Sequence, residues 1–245
     1  MMRSPLIDLC PRLDRSLRPL PIVSAPTPVE RLDGLSSAIG RPDLWAKRDD
    51  RTSPEYGGNK VRKLAFLLAH AIDRDRRWIV TAGMAGSSHL VATALYASRV
   101  GLRVAAAVCP QPAGAAVRAN LGSHAVLGTE LHPVGRRSEI PAALARVFAV
   151  KTLFGQRPTV VLPGGSSPTG TLGCVDAGIE FARQVAEGSC PEPAAVVVPF
   201  GSGGTAAGLA LGFALAGLRS EVIAVRTVAR GSADGAHRRS TVRTA

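Results

Sequence analysis

Residues 56–63 read YGGNKVRK and hold two of only four lysines, Lys47, Lys60, Lys63 and Lys151; the remaining 26 of the 30 Lys plus Arg are arginine. The choice matters chemically. An arginine guanidinium does not give up its proton in a protein, whereas a lysine amine does when its surroundings lower its pKa, and it is then a nucleophile toward an aldehyde. A second stretch, VVVPFGSGGTAAGLALG, runs an apolar strand into Gly201, Ser202, Gly203, Gly204 and Thr205 and then into a helix of small residues. Amides at such a helix start converge on an anion with help from the helix dipole, and glycine lets the backbone approach the ligand closely. This is not a Walker loop, because no Gly-Lys-Ser/Thr follows, and its spacing departs from GxGxxG. A special lysine together with a phosphate cradle points to a phosphorylated aldehyde cofactor.

The elements that must position these residues are short apolar runs alternating with helix-like stretches. WIVTAG (78–83) reads as a buried strand ending in a glycine turn, and SSHLVATALYASRVG behind it has apolar positions at helical spacing. RVAAAVC (103–109), TELHPV (129–134), TVVLPGG (159–165), AAVVVPF (194–200) and EVIAVR (221–226) are further strand candidates. Such alternation predicts parallel sheet covered by helices, with ligands gathered at the carboxyl ends of the strands, where the glycine-rich turns fall.

With 245 residues, 46% of them apolar, the chain can bury a substantial core as one large α/β domain or two lobes. Cys10, Cys109, Cys174 and Cys190 show no metal spacing, so reduced thiols and no metal are expected. The first twenty residues scatter charges and prolines where a signal peptide needs an apolar run, and no later run approaches membrane-spanning length. The expected location is the cytoplasm, without membrane insertion. A net charge of +12 invites a nucleic-acid reading, but the arginines are dispersed and aromatic content is only 4%, so an arginine-rich solvated surface accounts for the charge and anionic small molecules are the expected partners.

TPVERLDGLSSAIGRPDLWAKRDDRTSPEYGGNKVRKLAFLLAHA resembles the amino-terminal signature of the pyridoxal-phosphate enzymes grouped as 1-aminocyclopropane-1-carboxylate deaminase and D-cysteine desulfhydrase, whose fold is that of the tryptophan synthase β-subunit (fold type II). The resemblance continues in order through TAGMAGSSHLVATALYASRVGL, LPGGSSPTGTLGCVDAGIEFARQV and VVPFGSGGTAAGLALG. It implies that Lys60 carries pyridoxal phosphate as an imine, that Asn59 lies beside the cofactor and that Lys63 contacts its phosphate. Gly201, Ser202, Gly203, Gly204 and Thr205 match the phosphate loop. Ser87, Ser88 and His89 match a helix-start triplet that binds the substrate carboxylate and the cofactor ring. It implies a lyase, deaminase or hydrolase acting on a small amino acid, and a homodimer. By the same resemblance a large lobe combines residues 1–63 and 163–226, a small substrate lobe spans 64–162, and the cofactor lies between them.

Many relatives read glycine, glutamine and asparagine where this chain has Met84, Gly86 and Ser88, so substrate contacts differ. His89 resembles the desulfhydrase side of the family, the cyclopropane deaminases more often having glutamine there; D-cysteine is therefore the first expected substrate and 1-aminocyclopropane-1-carboxylate the second. After Arg226 the resemblance fades into TVARGSADGAHRRSTVRTA, which reads as a solvated tail. The expectation is that the carboxyl-terminal part of the large lobe is missing and that catalysis is impaired. Two other classes stay open, a non-catalytic cofactor-binding remnant and a binding protein for another phosphate.

Overall fold

Between Trp78 and Val160 four strands take up the apolar runs, and a helix leads from each of the first three to the next. The computed structural model describes residues 4–13, 17–41 and 43–227. Strands β3 (Trp78–Met84), β4 (Arg103–Cys109), β5 (Glu130–Pro133) and β6 (Pro158–Val160) form one parallel sheet in the order β5-β4-β3-β6. Helices α4 (Ser88–Arg99), α5 (Ala115–Val126) and α6 (Ile140–Leu153) make the connections. Parallel pairing demands such crossovers, and it buries β3 and β4 on both faces: Ile79, Val80, Ala82, Ala105 and Ala106 are fully buried.

A second, two-stranded parallel unit pairs β7 (Ala195–Phe200) with β8 (Glu221–Arg226) around α8 (Gly204–Ala216). One face packs Val196, Val198 and Val222 with Phe213 and Phe181. The other leaves Val197 65% and Val225 50% exposed. A short antiparallel pair, β1 (Val29–Arg31) and β2 (Trp45–Lys47), lies earlier in the chain with α1 (Pro5–Leu9) and α2 (Asp33–Ile39). Parallel sheet clothed in helices is thus the observed architecture.

One expected strand is much shorter than the sequence suggested. TVVLPGG is extended only to Val160; Pro163 and two left-handed glycines, Gly164 (φ 73°) and Gly165 (φ 67°), turn the chain into α7 (Pro168–Ala186). The turn serves packing. Helix α7 lies against both α3 (Asn59–Asp73) and α8, and its glycines permit the approach: a Cβ on Gly173 would stand 2.1 Å from the Arg62 carbonyl oxygen, and one on Gly178 3.0 Å from Gly212 Cα. No residue larger than glycine fits at 173 without separating α7 from α3.

The helix between them is fixed in register by buried charge. Arg62, 2% exposed, donates to Asp49 Oδ1 and Glu180 Oε2, both at 2.8 Å, while Lys47 pairs with Glu180 and reaches Gln184 Oε1 at 2.6 Å. Such a network is satisfied only in one alignment of α3 against α7. The tail expected over 227–245 lies outside the described residues except for Thr227, whose N–H donates to the Phe200 carbonyl at 3.2 Å. Among the described residues no helix is long and apolar enough to cross a membrane, and no cluster of metal-ligating side chains occurs. The four cysteines are free thiols.

Candidate active site

The turn that delivers the paired lysines exists because residues 57 and 58 lack side chains. A Cβ on Gly57 would sit 1.7 Å from the Asp50 carbonyl oxygen, and Gly58 takes φ 112° as α3 begins. Asn59 is the first helical residue, and its Nδ2 donates to Thr205 Oγ1 at 3.2 Å. Lys60 Nζ donates to Asn59 Oδ1 at 2.7 Å. One turn on, Lys63 is 1% exposed and its amine donates to Ser166 Oγ at 3.2 Å, which in turn lies 2.5 Å from Ser202 Oγ. The two lysine-bearing turns and the glycine loop, about 140 residues apart in sequence, therefore meet through side-chain hydrogen bonds.

Glycine at 204 keeps this place open. A Cβ there would stand 2.8 Å from Ser166 Oγ, 3.0 Å from Lys63 Nζ and 3.2 Å from Thr171 Oγ1. Gly203, at φ 82°, directs the chain into α8, whose first amides have no helical acceptors. A cavity of about 330 Å³ opens here, lined by Ser166, Thr171, Phe200, Ser202, Gly203 and Gly204. Hydroxyls and a helix N-terminus line this hollow, and the Lys63 amine stands behind Ser166 and Gly204; together they form the kind of donor set that suits a phosphate monoester. A larger cavity of about 710 Å³ lies beside α1, lined by Leu20, Phe66 and Asp176. Its partly buried carboxylate already accepts from Ser4 Oγ and the Leu6 N–H, and Arg62 is committed to its ion pairs.

Burial lowers the pKa of the Lys60 amine, and the positive charge of Lys63 lowers it further; burial also lowers Lys63 itself. Both amines thus lose protons more readily than exposed lysines do. His89, the second residue of α4, is 5% exposed, and burial followed by the charges of Lys60 and Lys63 holds its pKa at about 4. The ring is neutral at physiological pH. Thr81 Oγ1 lies 3.2 Å from Nε2, and Nδ1 is buried with no hydrogen-bond partner among the described residues. Ser87 precedes α4 without capping it, and Ser88 is exposed with no side-chain hydrogen bond among the described residues. His89 is therefore the member of that triplet within electrostatic reach of the lysines.

Sequence reasoning passed over Ser166 and Thr171, which supply hydroxyls around Lys63 Nζ and Gly204. The signal was present. GGSSPT places hydroxyl residues between a glycine pair and a helix-starting proline, and Ser167 does cap α7 by accepting from the Gly170 N–H at 3.2 Å.

The chain is similar to known proteins over most of its length. The chain is 40% identical over 219 residues to nocardicin C-9' epimerase of Nocardia uniformis subsp. tsuyamanensis, covering 88% of this chain and 65% of that protein. It is 38% identical over 219 residues to D-cysteine desulfhydrase of Klebsiella pneumoniae (strain 342), covering 88% and 66%. A solved structure described as an ACC deaminase homologue superposes with a TM-score of 0.76 at 31% identity, over 91% of this chain and 66% of that one. L-Serine ammonia-lyase from Rhizomucor miehei, at 21% identity and a TM-score of 0.65 over 84% and 60% of the two chains, shares the fold. The chain thus spans 65–66% of the length of these curated relatives. The fold is type II, and a hydrolase, one of the reaction classes the resemblance implied, does not fit this set. A family profile described as pyridoxal-phosphate dependent enzyme matches residues 22–244, a span that takes in Lys60, Lys63, Ser166 and the glycine loop alike, and the chain belongs to that family.

Proposed function

We propose that Lys60 holds pyridoxal phosphate and that the site carries out elimination or deamination on a small amino acid, with D-cysteine as first substrate. The observation that supports this most is the meeting of the Lys60 and Lys63 turn with the glycine loop through Asn59 and Thr205 and through Ser166 and Ser202. The hollow at Gly204, free of any Cβ and faced by a buried ammonium, fits the cofactor's phosphate. In this reading Lys63, Ser166, Ser202, Thr205 and the amides of residues 203–205 hold the phosphate, and Asn59 orients the Lys60 amine. When bound, pyridoxal phosphate supplies an aldehyde that condenses with amines and a ring that takes up electron density from the substrate α-carbon.

The depressed pKa of Lys60 gives it two uses: its unprotonated amine reacts with an aldehyde, and, displaced by the incoming amino acid, it accepts the α-proton. The start of α4, at Ser87 and Ser88, presents amides to the substrate carboxylate. His89, neutral, adds no positive charge of its own beside the two lysines. The overall reaction is D-cysteine plus water giving pyruvate, sulfide and ammonia; 1-aminocyclopropane-1-carboxylate plus water giving 2-oxobutyrate and ammonia is the alternative. The similarity to an epimerase favours a second reading, in which the α-proton is returned to the opposite face and neither sulfide nor ammonia leaves. The lobes assigned to 1–63 with 163–226 and to 64–162, with the cofactor in their cleft, and a homodimeric assembly belong to the same proposal.

Purified protein incubated with pyridoxal phosphate should gain a near-visible absorbance band, and borohydride should fix the cofactor on Lys60 in peptide mapping. A label on another lysine, or a band retained by Lys60→Ala, refutes the assignment. Sulfide with pyruvate, ammonia with 2-oxobutyrate, or inversion alone then separates the three reactions.

A further inference from the structure

We propose that Gln111 and Asn120 are positioning residues that clamp the Gly86 peptide and thereby set the place of the Ser87–His89 turn; the functional part of this rests on the assignment of that turn to the substrate. Gly86 lies between β3 and α4. Its N–H donates to Gln111 Oε1 at 3.1 Å, and its carbonyl accepts from Asn120 Nδ2 at 2.9 Å. Both partners come from elsewhere, Gln111 from the β4–α5 connection and Asn120 from α5. One residue of the turn is thus held from both sides by carboxamides whose orientation is fixed, since a backbone N–H needs an oxygen and a carbonyl needs an N–H.

Gln111 does more than bond. A Cβ on Gly86 would stand 2.8 Å from Gln111 Nε2 and 3.0 Å from Val117 Cγ2, so the carboxamide fills the space in which a side chain at 86 would begin. The turn has few other restraints: the Ser87 N–H donates to the Met84 carbonyl and the Ala85 N–H to the Cys109 carbonyl, each at 2.9 Å. Ser87 gives α4 no side-chain cap. Beneath the turn, Ala85, Leu90 and Val117 form an apolar cluster that offers no directional hold on the Gly86 peptide. The two amides supply that direction, and they lie far in sequence from Lys60, Lys63 and the glycine loop.

The clamp predicts a split between two affinities in the full chain. In Gln111→Ala and Asn120→Ala, deuterium uptake in peptides covering 84–90 should quicken, and affinity for D-alanine, a probe without a β leaving group, should fall about tenfold while pyridoxal phosphate affinity stays within about twofold. Gln111→Glu keeps an oxygen for the Gly86 N–H and should restore slow exchange. The proposal is overturned if exchange in 84–90 is unchanged in both alanine variants, or if cofactor and D-alanine affinities fall together. A wild-type chain that binds neither ligand sinks the functional reading above, and the exchange measurement still decides whether the clamp exists.

Discussion

Replacing Glu180 by glutamine should cost about 3 kcal/mol of stability at pH 7, at the low end of the roughly 3–5 kcal/mol expected when one partner of a buried ion pair is removed, because Asp49 remains to Arg62. The side chain is 3% exposed and accepts from Arg62 through both oxygens, at 2.8 and 3.0 Å, from the Thr27 N–H at 3.0 Å and from Lys47. Burial alone would push its pKa up, but the Arg62 hydrogen bonds and charge, together with Lys47, hold it at about 2. Against 4.5 for the free acid, at 1.36 kcal/mol per unit, that amounts to roughly 3 kcal/mol. The folded-state value is depressed, so this stabilisation is complete above pH 4.5 and is lost as pH falls through 2. Guanidinium unfolding of wild type and Glu180→Gln at pH 7 and pH 3 reads both effects. The gap should be about 3 kcal/mol at pH 7 and roughly half of that at pH 3. A cost below about 1 kcal/mol at pH 7, or a gap that widens on acidification, would refute the claim that this carboxylate anchors α3.

Gly173→Ala should destabilise by about 3 kcal/mol, because the added Cβ meets the rigid Arg62 carbonyl, whereas Gly122→Ala, with nothing within 4 Å on an exposed stretch of α5, should stabilise by about 0.5–1 kcal/mol; the same unfolding assay checks both signs. Lys63→Met should weaken pyridoxal phosphate binding by about a hundredfold in calorimetry while leaving the cofactor-free protein no less stable, since a desolvated amine is removed and its apolar stem kept. The His89 ring should remain neutral from pH 8 down to 5 by NMR and protonate near 4; because the folded-state value is depressed, stability falls as pH drops from 6.5 toward 4. A His89 midpoint near 6.5 would contradict its burial beside two lysines.

The strands were legible where a continuous apolar run met a glycine turn. RVAAAVC and EVIAVR occupy the residues expected of them, the first because a strand buried on both faces needs uninterrupted apolar sequence, the second although one of its faces stays exposed. TVVLPGG misled because its apolar start looked the same, while the left-handed Gly164 and Gly165 end the strand for the sake of helix packing. Lys60, Lys63 and the GSGGT loop stood out by residue type alone. Ser166 and Thr171 did not, since GGSSPT marks a capped helix start in the sequence but not what its hydroxyls face once α7 is placed against α3. The Arg62, Glu180 and Lys47 network was equally hidden: its members are separated by up to 133 residues, and charged side chains scattered in sequence read as surface.

The burial of the Lys63 amine beneath the glycine loop couples anion binding there to the proton on that amine. Without an anion nearby the amine is held below its ordinary pKa by desolvation. A phosphate dianion arriving at Gly204 opposes that desolvation and favours the charged amine, so protonation and binding support each other. Calorimetric heats of inorganic phosphate binding should therefore depend on the ionisation enthalpy of the buffer. Affinity should rise as pH is lowered through the Lys63 pKa, until the phosphate itself takes a proton near about pH 6.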